Sequence, residues 1–142
     1  MADVLLVYWS GTGNTEIMAE KIKEGLEEQG NTVDYKTVDE VEPDDVSAYD
    51  KIVFGCPSMG VENLEEDEFE PFFEEAESQL AGKKVALFGS YGWGEGEWMD
   101  AWENRVKDNG ANLFEQGLKI NSTPSSEEEE ECVEFGRSFA KF

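Results

Sequence analysis

The residues best placed to do chemistry are polar ones in a glycine-rich turn: Ser10-Gly11-Thr12-Gly13-Asn14-Thr15, within YWSGTGNTE and directly after the apolar run VLLV. Ser10, Thr12, Asn14 and Thr15 supply hydroxyl and amide donors. Gly11 and Gly13 let the backbone come close to a ligand and reach positive φ. A helix that starts here adds free backbone N–H groups and a partial positive charge, a combination that binds anions. A triphosphate loop would end in Gly-Lys-Ser/Thr, whereas Asn14-Thr15 stands there with no lysine. A dinucleotide fingerprint would need a third glycine where Glu16 stands. What remains is a terminal monophosphate held by neutral donors, with an ordinary strand–helix turn capped by threonine as the plainer alternative.

Two further loops carry unusual residues. Cys56-Pro57-Ser58-Met59-Gly60-Val61-Glu62 follows the apolar run KIVFG, and Gly89-Ser90-Tyr91-Gly92-Trp93-Gly94-Glu95-Gly96 follows KVALF. Met59 offers a polarizable apolar surface. The glycines around Tyr91 and Trp93 are expected to hold an exposed aromatic pair, and a flat ring between Met59 and Trp93 fits these parts. Met59-Gly60-Val61-Glu62 has the spacing of a β-turn with Gly60 and Val61 central. Val61 is β-branched and disfavours the left-handed conformation that a type II turn needs there.

The elements that must position these loops follow from hydropathy. Buried strands are expected over Asp3–Tyr8, Lys51–Cys56 and Lys84–Gly89, an edge strand over Thr32–Val38, and a last strand over Asn112–Ile120, interrupted by Gly117. Amphipathic helices are expected over Asn14–Gln29, Glu68–Leu80, Trp98–Asp108 and Ser125–Phe142, with a short connection or helical turn over Pro43–Tyr49. Apolar strands alternating with such helices predict an α/β fold: one doubly wound, five-stranded parallel sheet with helices on both faces, in a single domain over residues 1–142. All three loops then leave the carboxyl ends of strands, where open α/β sheets bind ligands.

Composition narrows the function. The chain has 142 residues with 34 acids, 11 bases and no histidine, a formal net charge of −23. Such a field repels nucleic acid, anionic membranes and polyanionic substrates, and favours a partner with a basic face. No apolar run approaches the ~20 residues that span a bilayer, and the start Met1-Ala2-Asp3 lacks the basic region of a secretory leader. Two cysteines, Cys56 and Cys132, form neither a metal-ligand spacing nor a disulfide framework, so the cytoplasm is the expected compartment. The segment Glu62–Glu77 contains nine acids and no base. Because it follows a ring-binding loop, it is expected to form an acidic docking face. The run Glu127–Glu131 is expected to be a solvated helical start, where acids suit the dipole.

Taken together, YWSGTGNTE, GCPSMG and ALFGSYGWG make the chain resemble a short-chain flavodoxin along its whole length. The resemblance implies strand order 2-1-3-4-5 with the flavin at the switch point of the sheet. It implies a non-covalently bound flavin mononucleotide (FMN). Ser10 to Thr15 would bind its phosphate, Met59 to Glu62 (with Ser58) one face and edge of the flavin, and Trp93, within Gly89 to Gly94, the other face. It further implies a monomeric, low-potential one-electron carrier that cycles between semiquinone and hydroquinone and docks transiently on reductases and acceptor enzymes, with no substrate turnover of its own. Low potential also follows from charge: no lysine, arginine or histidine lies in the three loops, whereas Glu62, Glu95 and Glu97 lie in or beside them. Two positions depart from the family pattern. Pro57 stands where some relatives carry serine, and Val61 where Gly, Asp, Asn or Ser is frequent. Two other classes share some of these features: a flavin enzyme such as a quinone reductase, and an acidic binding module without redox activity. The first would need space for a nicotinamide or quinone and usually a longer chain; the second would not be yellow.

Overall fold

The computed structural model describes residues 2–11, 13–59, 63–92, 94 and 96–142. Met1, Thr12, Gly60, Val61, Glu62, Trp93 and Glu95 lie outside the described residues. Strand β1 (Val4–Tyr8) leads into helix α1 (Asn14–Glu28), then β2 (Val33–Thr37), β3 (Lys51–Gly55), α2 (Phe69–Ala76), β4 (Lys84–Tyr91), α3 (Glu97–Asp108), β5 (Asn112–Leu113), β6 (Leu118–Asn121) and α4 (Ser126–Ala140). Short 3₁₀ turns cover Val38–Glu40, Pro43–Ala48 and Glu77–Gln79.

All strand pairs are parallel, in the order β2-β1-β3-β4-β5, with β6 also on β4. The expected doubly wound order is therefore present. The fifth position is shared by two short strands rather than one. β5 pairs with the start of β4 (Lys84 opposite Asn112) and β6 with its end (Tyr91 opposite Asn121). Gly117 explains the break: a Cβ there would lie 2.2 Å from Met99 Sδ, and its N–H donates to Glu103 Oε2 at 2.6 Å. Contact with α3 thus pulls the chain out of the sheet between the two pieces. β4 runs to Tyr91, two residues further than its hydropathy suggested, because β6 pairs with those residues.

The period of two along the strands sorts side chains between two apolar layers. Leu5, Val7, Ile52, Phe54, Val85 and Leu87 pack with α2 and α3. Val4, Leu6, Tyr8, Val53, Ala86 and Phe88 pack with α1 and α4. In the second layer two helical glycines let α1 and α4 touch at backbone distance. A Cβ on Gly25 would stand 2.0 Å from the Val133 carbonyl oxygen, and one on Gly136 2.2 Å from that of Ile22. Helix α2 is shorter than its periodicity suggests and passes into a 3₁₀ turn after Ala76, with Leu80 still buried. No helix among the described residues is long and apolar enough to cross a membrane.

Candidate functional site

The carboxyl ends of β1, β3 and β4 bring the three sequence loops to one edge of the sheet. Between them lies a groove of about 230 Å³ lined by Trp9, Gly11, Asn14, Ser58, Met59 and Tyr91, with Ser90, Gly92, Pro57 and Ser122 completing it. Seven of the residues expected to bind cofactor meet there: Gly11, Asn14, Ser58, Met59, Ser90, Tyr91 and Gly92.

The first loop is built like an anion site. Helix α1 opens at Gly13, whose φ of 97° suits only glycine and which has no side chain to act as a cap. The contrast with α4 is direct: there Ser125 accepts the Glu128 N–H and the Glu128 carboxylate accepts the Ser125 N–H, which closes a capping box. In the first loop the N–H groups of Gly13 and Glu16 converge on Ser10 Oγ at 3.1 and 3.3 Å. N–H groups that converge on a neutral hydroxyl at a helix start fit a phosphate monoester. Asn14 borders the groove, and its Oδ1 accepts from the Thr123 hydroxyl at 3.0 Å.

Other expected residues are placed differently. Thr15 is buried and shares a 2.8 Å hydrogen bond with Ser90 Oγ, so the hydroxyls of these two residues tie α1 to the end of β4. Gly89 lies inside the sheet. A Cβ there would stand 2.1 Å from the Cys56 carbonyl oxygen, so close strand packing is what requires glycine at this position. Tyr91 is half-buried rather than exposed, with its ring 5.6 Å from that of Trp98. Gly94 is exposed with φ of 85°. Met59 lines the groove and keeps 39% of its surface exposed. Thr12, Gly60, Val61, Glu62 and Trp93, all expected at the site, lie outside the described residues. The segment expected to turn at Gly60-Val61 is closed at Asn63 by reciprocal backbone bonds, Met59 N–H to Asn63 O at 2.7 Å and Asn63 N–H to Met59 O at 2.9 Å.

Four features of the site were not read from the sequence. Trp9 forms part of the groove; its ring lies over Gly11, where a Cβ would meet Cη2 at 2.8 Å, and its N–H donates to Glu68 Oε1 at 3.1 Å. The alternative of a core tryptophan hides such a role, because Trp9 continues the apolar run of β1. Ser122, at φ 61°, comes from the turn after β6, and its N–H donates to the Tyr91 carbonyl at 2.7 Å. Lys119 brings a cation to a loop cluster whose own sequence has none: a Cβ on Gly96 would lie 2.6 Å from its Cδ. Glu65 is the fourth. It is buried, and its carboxylate accepts N–H bonds from Asp67, Glu68 and Phe69, each at 2.8 Å. It anchors the start of α2 and, through its own N–H to Cys56 Sγ at 3.3 Å, the loop after β3. Burial pushes the Cys56 and Cys132 thiols up, Cys132 to about 12, and both are free. Among the described residues no group of three or more acids and cysteines could hold a metal ion.

A sequence profile of the flavodoxin family matches residues 6–136. The chain is 49% identical over 135 residues to a flavodoxin of Clostridium beijerinckii, which covers 95% of this chain and 97% of that protein. It is 47% identical over 138 residues to a flavodoxin of Megasphaera elsdenii, covering 97% and 98%. The solution structure of two-electron reduced Megasphaera elsdenii flavodoxin superposes with a TM-score of 0.88 at 46% identity, over 98% of this chain and 99% of that one. With the sheet order, the glycine-rich loop at the start of α1 and the groove between three strand ends already in place, these likenesses settle the matter: the chain belongs to the flavodoxin family, small electron-transfer proteins that bind FMN.

Proposed function

We propose that FMN is held in the groove between the first loop and the two loops after β3 and β4, and that the loaded protein passes single electrons between partner proteins without turning over a substrate of its own. The observation that carries this reading is the convergence of Gly11, Asn14, Met59 and Tyr91 on one groove beside the start of α1. Ser10 to Thr15 hold the phosphate, Ser58 to Glu62 and Gly89 to Gly94 border the ring, and Trp93 covers one face of it. Bound there, FMN supplies one-electron redox chemistry. The chain's part is to orient the ring, shield it from water and set the charge around it. Glu62, Glu95 and Glu97 disfavour added negative charge, which lowers the potential, and Lys119 offsets part of that effect at the Gly96 edge.

Two binding measurements test the residues. Apoprotein titrated with FMN and with riboflavin should prefer FMN by on the order of 100-fold, since the phosphate adds charge-assisted hydrogen bonds. Equal affinities would remove the phosphate role of Ser10 to Thr15. Trp93→Ala should weaken FMN binding by roughly 1–3 kcal/mol through loss of a stacking surface.

The partners are proteins with basic faces that dock transiently, and the carrier itself is a monomer of the cytoplasm. Support comes from the net charge of −23, the two free buried thiols and the exposed acids Glu66, Asp67, Glu74 and Glu75 on the segment between β3 and β4. Oxidation of the reduced holoprotein by hexaammineruthenium(III) and by hexacyanoferrate(III) tests the field. Added salt should slow the first reaction and speed the second. Salt slopes of the same sign would refute electrostatic steering.

A further inference from the structure

Trp9 stands between two grooves. It lines the flavin groove together with Gly11 and Asn14, and a neighbouring groove of about 220 Å³ together with Ser10 and Glu68. The six-membered edge of its indole lies against Gly11, 2.8 Å from where a Cβ would stand, so the backbone of the first loop rests on the ring. The backbone of Trp9 is fixed by the sheet, its N–H donating to the Gly55 carbonyl at 3.0 Å. The ring itself turns about a torsion with broad minima. Its orientation is selected by the hydrogen bond from Nε1–H to Glu68 Oε1 at 3.1 Å. Glu68 is held in turn from behind: its own N–H donates to Glu65 Oε1 at 2.8 Å, and the Glu65 N–H donates to Cys56 Sγ at 3.3 Å. An unbroken series of contacts therefore runs from Cys56, at the start of the loop after β3, through Glu65, Glu68 and Trp9 to Gly11 in the first loop.

We infer that Glu68 is a positioning residue for the phosphate of FMN: it holds the Trp9 indole against Gly11 and so keeps the loop Ser10 to Thr15 in the shape that binds phosphate. The inference rests on the reading of that loop as the phosphate site, and it adds a residue from another element, the one that precedes α2. Charge alone works against Glu68. It borders the same groove as Ser10, and a carboxylate near a phosphate repels it. An acid at this place weakens FMN binding unless its hydrogen bond to the indole contributes more than its charge costs. The two effects have opposite signs, so substitution separates them. Loss of the charge alone favours the phosphate. Loss of the acceptor frees the indole and disfavours it. Riboflavin has the ring without the phosphate, so its binding is largely indifferent to both.

The test dilutes FMN-loaded and riboflavin-loaded protein and measures the flavin that passes an ultrafilter, which gives a Kd for each. Glu68→Ala should raise the Kd for FMN about fivefold, the size of one hydrogen bond to a charged group that water partly reaches, and that for riboflavin by less than about twofold. Glu68→Gln keeps an acceptor and sheds the charge, so its Kd for FMN should stay within about twofold of the parent's. In ¹⁵N-labelled, FMN-loaded protein the Trp9 indole N–H resonance, assigned by its loss in Trp9→Phe, should move upfield in Glu68→Ala and stay near its parent position in Glu68→Gln. In a Trp9→Phe background Glu68→Ala should no longer raise the Kd for FMN, because the hydrogen bond is already gone. The inference is overturned if Glu68→Ala leaves FMN binding unchanged or tightens it, which would make Glu68 a bare repulsive charge. Equal weakening of FMN and riboflavin overturns it too, as does a Glu68→Gln variant as weak as Glu68→Ala, or an undiminished effect of Glu68→Ala in the Trp9→Phe background. Failure of the phosphate reading itself looks different: the parent would then bind FMN and riboflavin equally, and the inference would fall with it.

Discussion

Glu65 offers the sharpest perturbation, because one buried carboxylate does the work of a helix cap and a loop anchor. Its two oxygens accept three backbone N–H bonds, two on Oε1 and one on Oε2, all at 2.8 Å. Hydrogen bonds to a charged group contribute about 1.5–3 kcal/mol each, and bonds that share an acceptor add less than their sum. Glu65→Gln keeps one oxygen for Glu68 and Phe69 but loses the charge and turns an amide towards the Asp67 N–H. Its expected cost is about 1.5–3 kcal/mol. Glu65→Ala leaves three donors without an acceptor. Asp67 and Glu68 are exposed and water can reach their N–H groups, whereas Phe69 is fully buried. The expected cost is therefore about 3–5 kcal/mol rather than three full penalties. In a chain of 142 residues, at roughly 3 °C per kcal/mol, the melting temperature falls by about 5–9 °C and 9–15 °C respectively. Urea unfolding of the FMN-loaded protein at neutral pH, followed by tryptophan fluorescence, measures the cost. The neighbouring Glu66→Gln is exposed and should change stability by less than about 0.5 kcal/mol. If Glu65→Gln is no worse than Glu66→Gln, the carboxylate does not hold the start of α2.

Other perturbations probe the remaining joints of the fold. Gly136→Ala improves helix propensity by about 1 kcal/mol, yet it drives a Cβ to 2.2 Å from the Ile22 carbonyl, so denaturant midpoints should show a net loss of about 1–3 kcal/mol; a stabilised variant would mean that α1 and α4 are not in backbone contact. The N–H and hydroxyl of Thr32 hold the Asp3 carboxyl below its ordinary value of 3.8. A depressed carboxylate stabilises the fold above its unfolded pKa and loses that contribution as pH falls, so melting curves of the parent and Asp3→Asn should converge below about pH 4; a gap independent of pH would refute this. Burial raises both thiols, so a thiol reagent such as a dithiobis(nitrobenzoate) should leave Cys56 and Cys132 unmodified in the folded protein and react with both after unfolding in urea.

The fold was legible because its buried strands announce themselves. VLLVY is buried at every position of β1, and KIVFG at all but its first residue, so a sheet covered on both faces follows from hydropathy alone. The loops were legible because they are punctuated by glycines and sit after those strands. What escaped the sequence is what tertiary contact decides. The last strand divides because Gly117 is drawn to Met99 and Glu103, and nothing in NLFEQGLKI marks where the pairing with β4 stops and resumes. Gly89 looks like a ligand-loop glycine in GSYGWG, whereas strand packing against Cys56 is what requires it. Arg105 of α3 meets Glu70 and Glu77, a contact between helices that no spacing in the sequence marks.

The acidic segment shows most clearly why counting charge is not the same as locating it. Read as sequence, Glu62 to Glu77 is nine carboxylates available to a partner. In the structure Glu65 is consumed by the backbone of α2, Glu68 accepts the Trp9 indole, and Glu70 and Glu77 neutralise Arg105. These four acids serve the fold, and removing their charge costs stability or local order before it costs docking. Among the described residues the exposed charge is then carried by Glu66, Asp67, Glu74 and Glu75, with Glu66 lining the groove between α2 and α3. The count of nine acids therefore overstates the charge this segment can present to another molecule, because carboxylates spent on backbone N–H groups and ion pairs are already compensated.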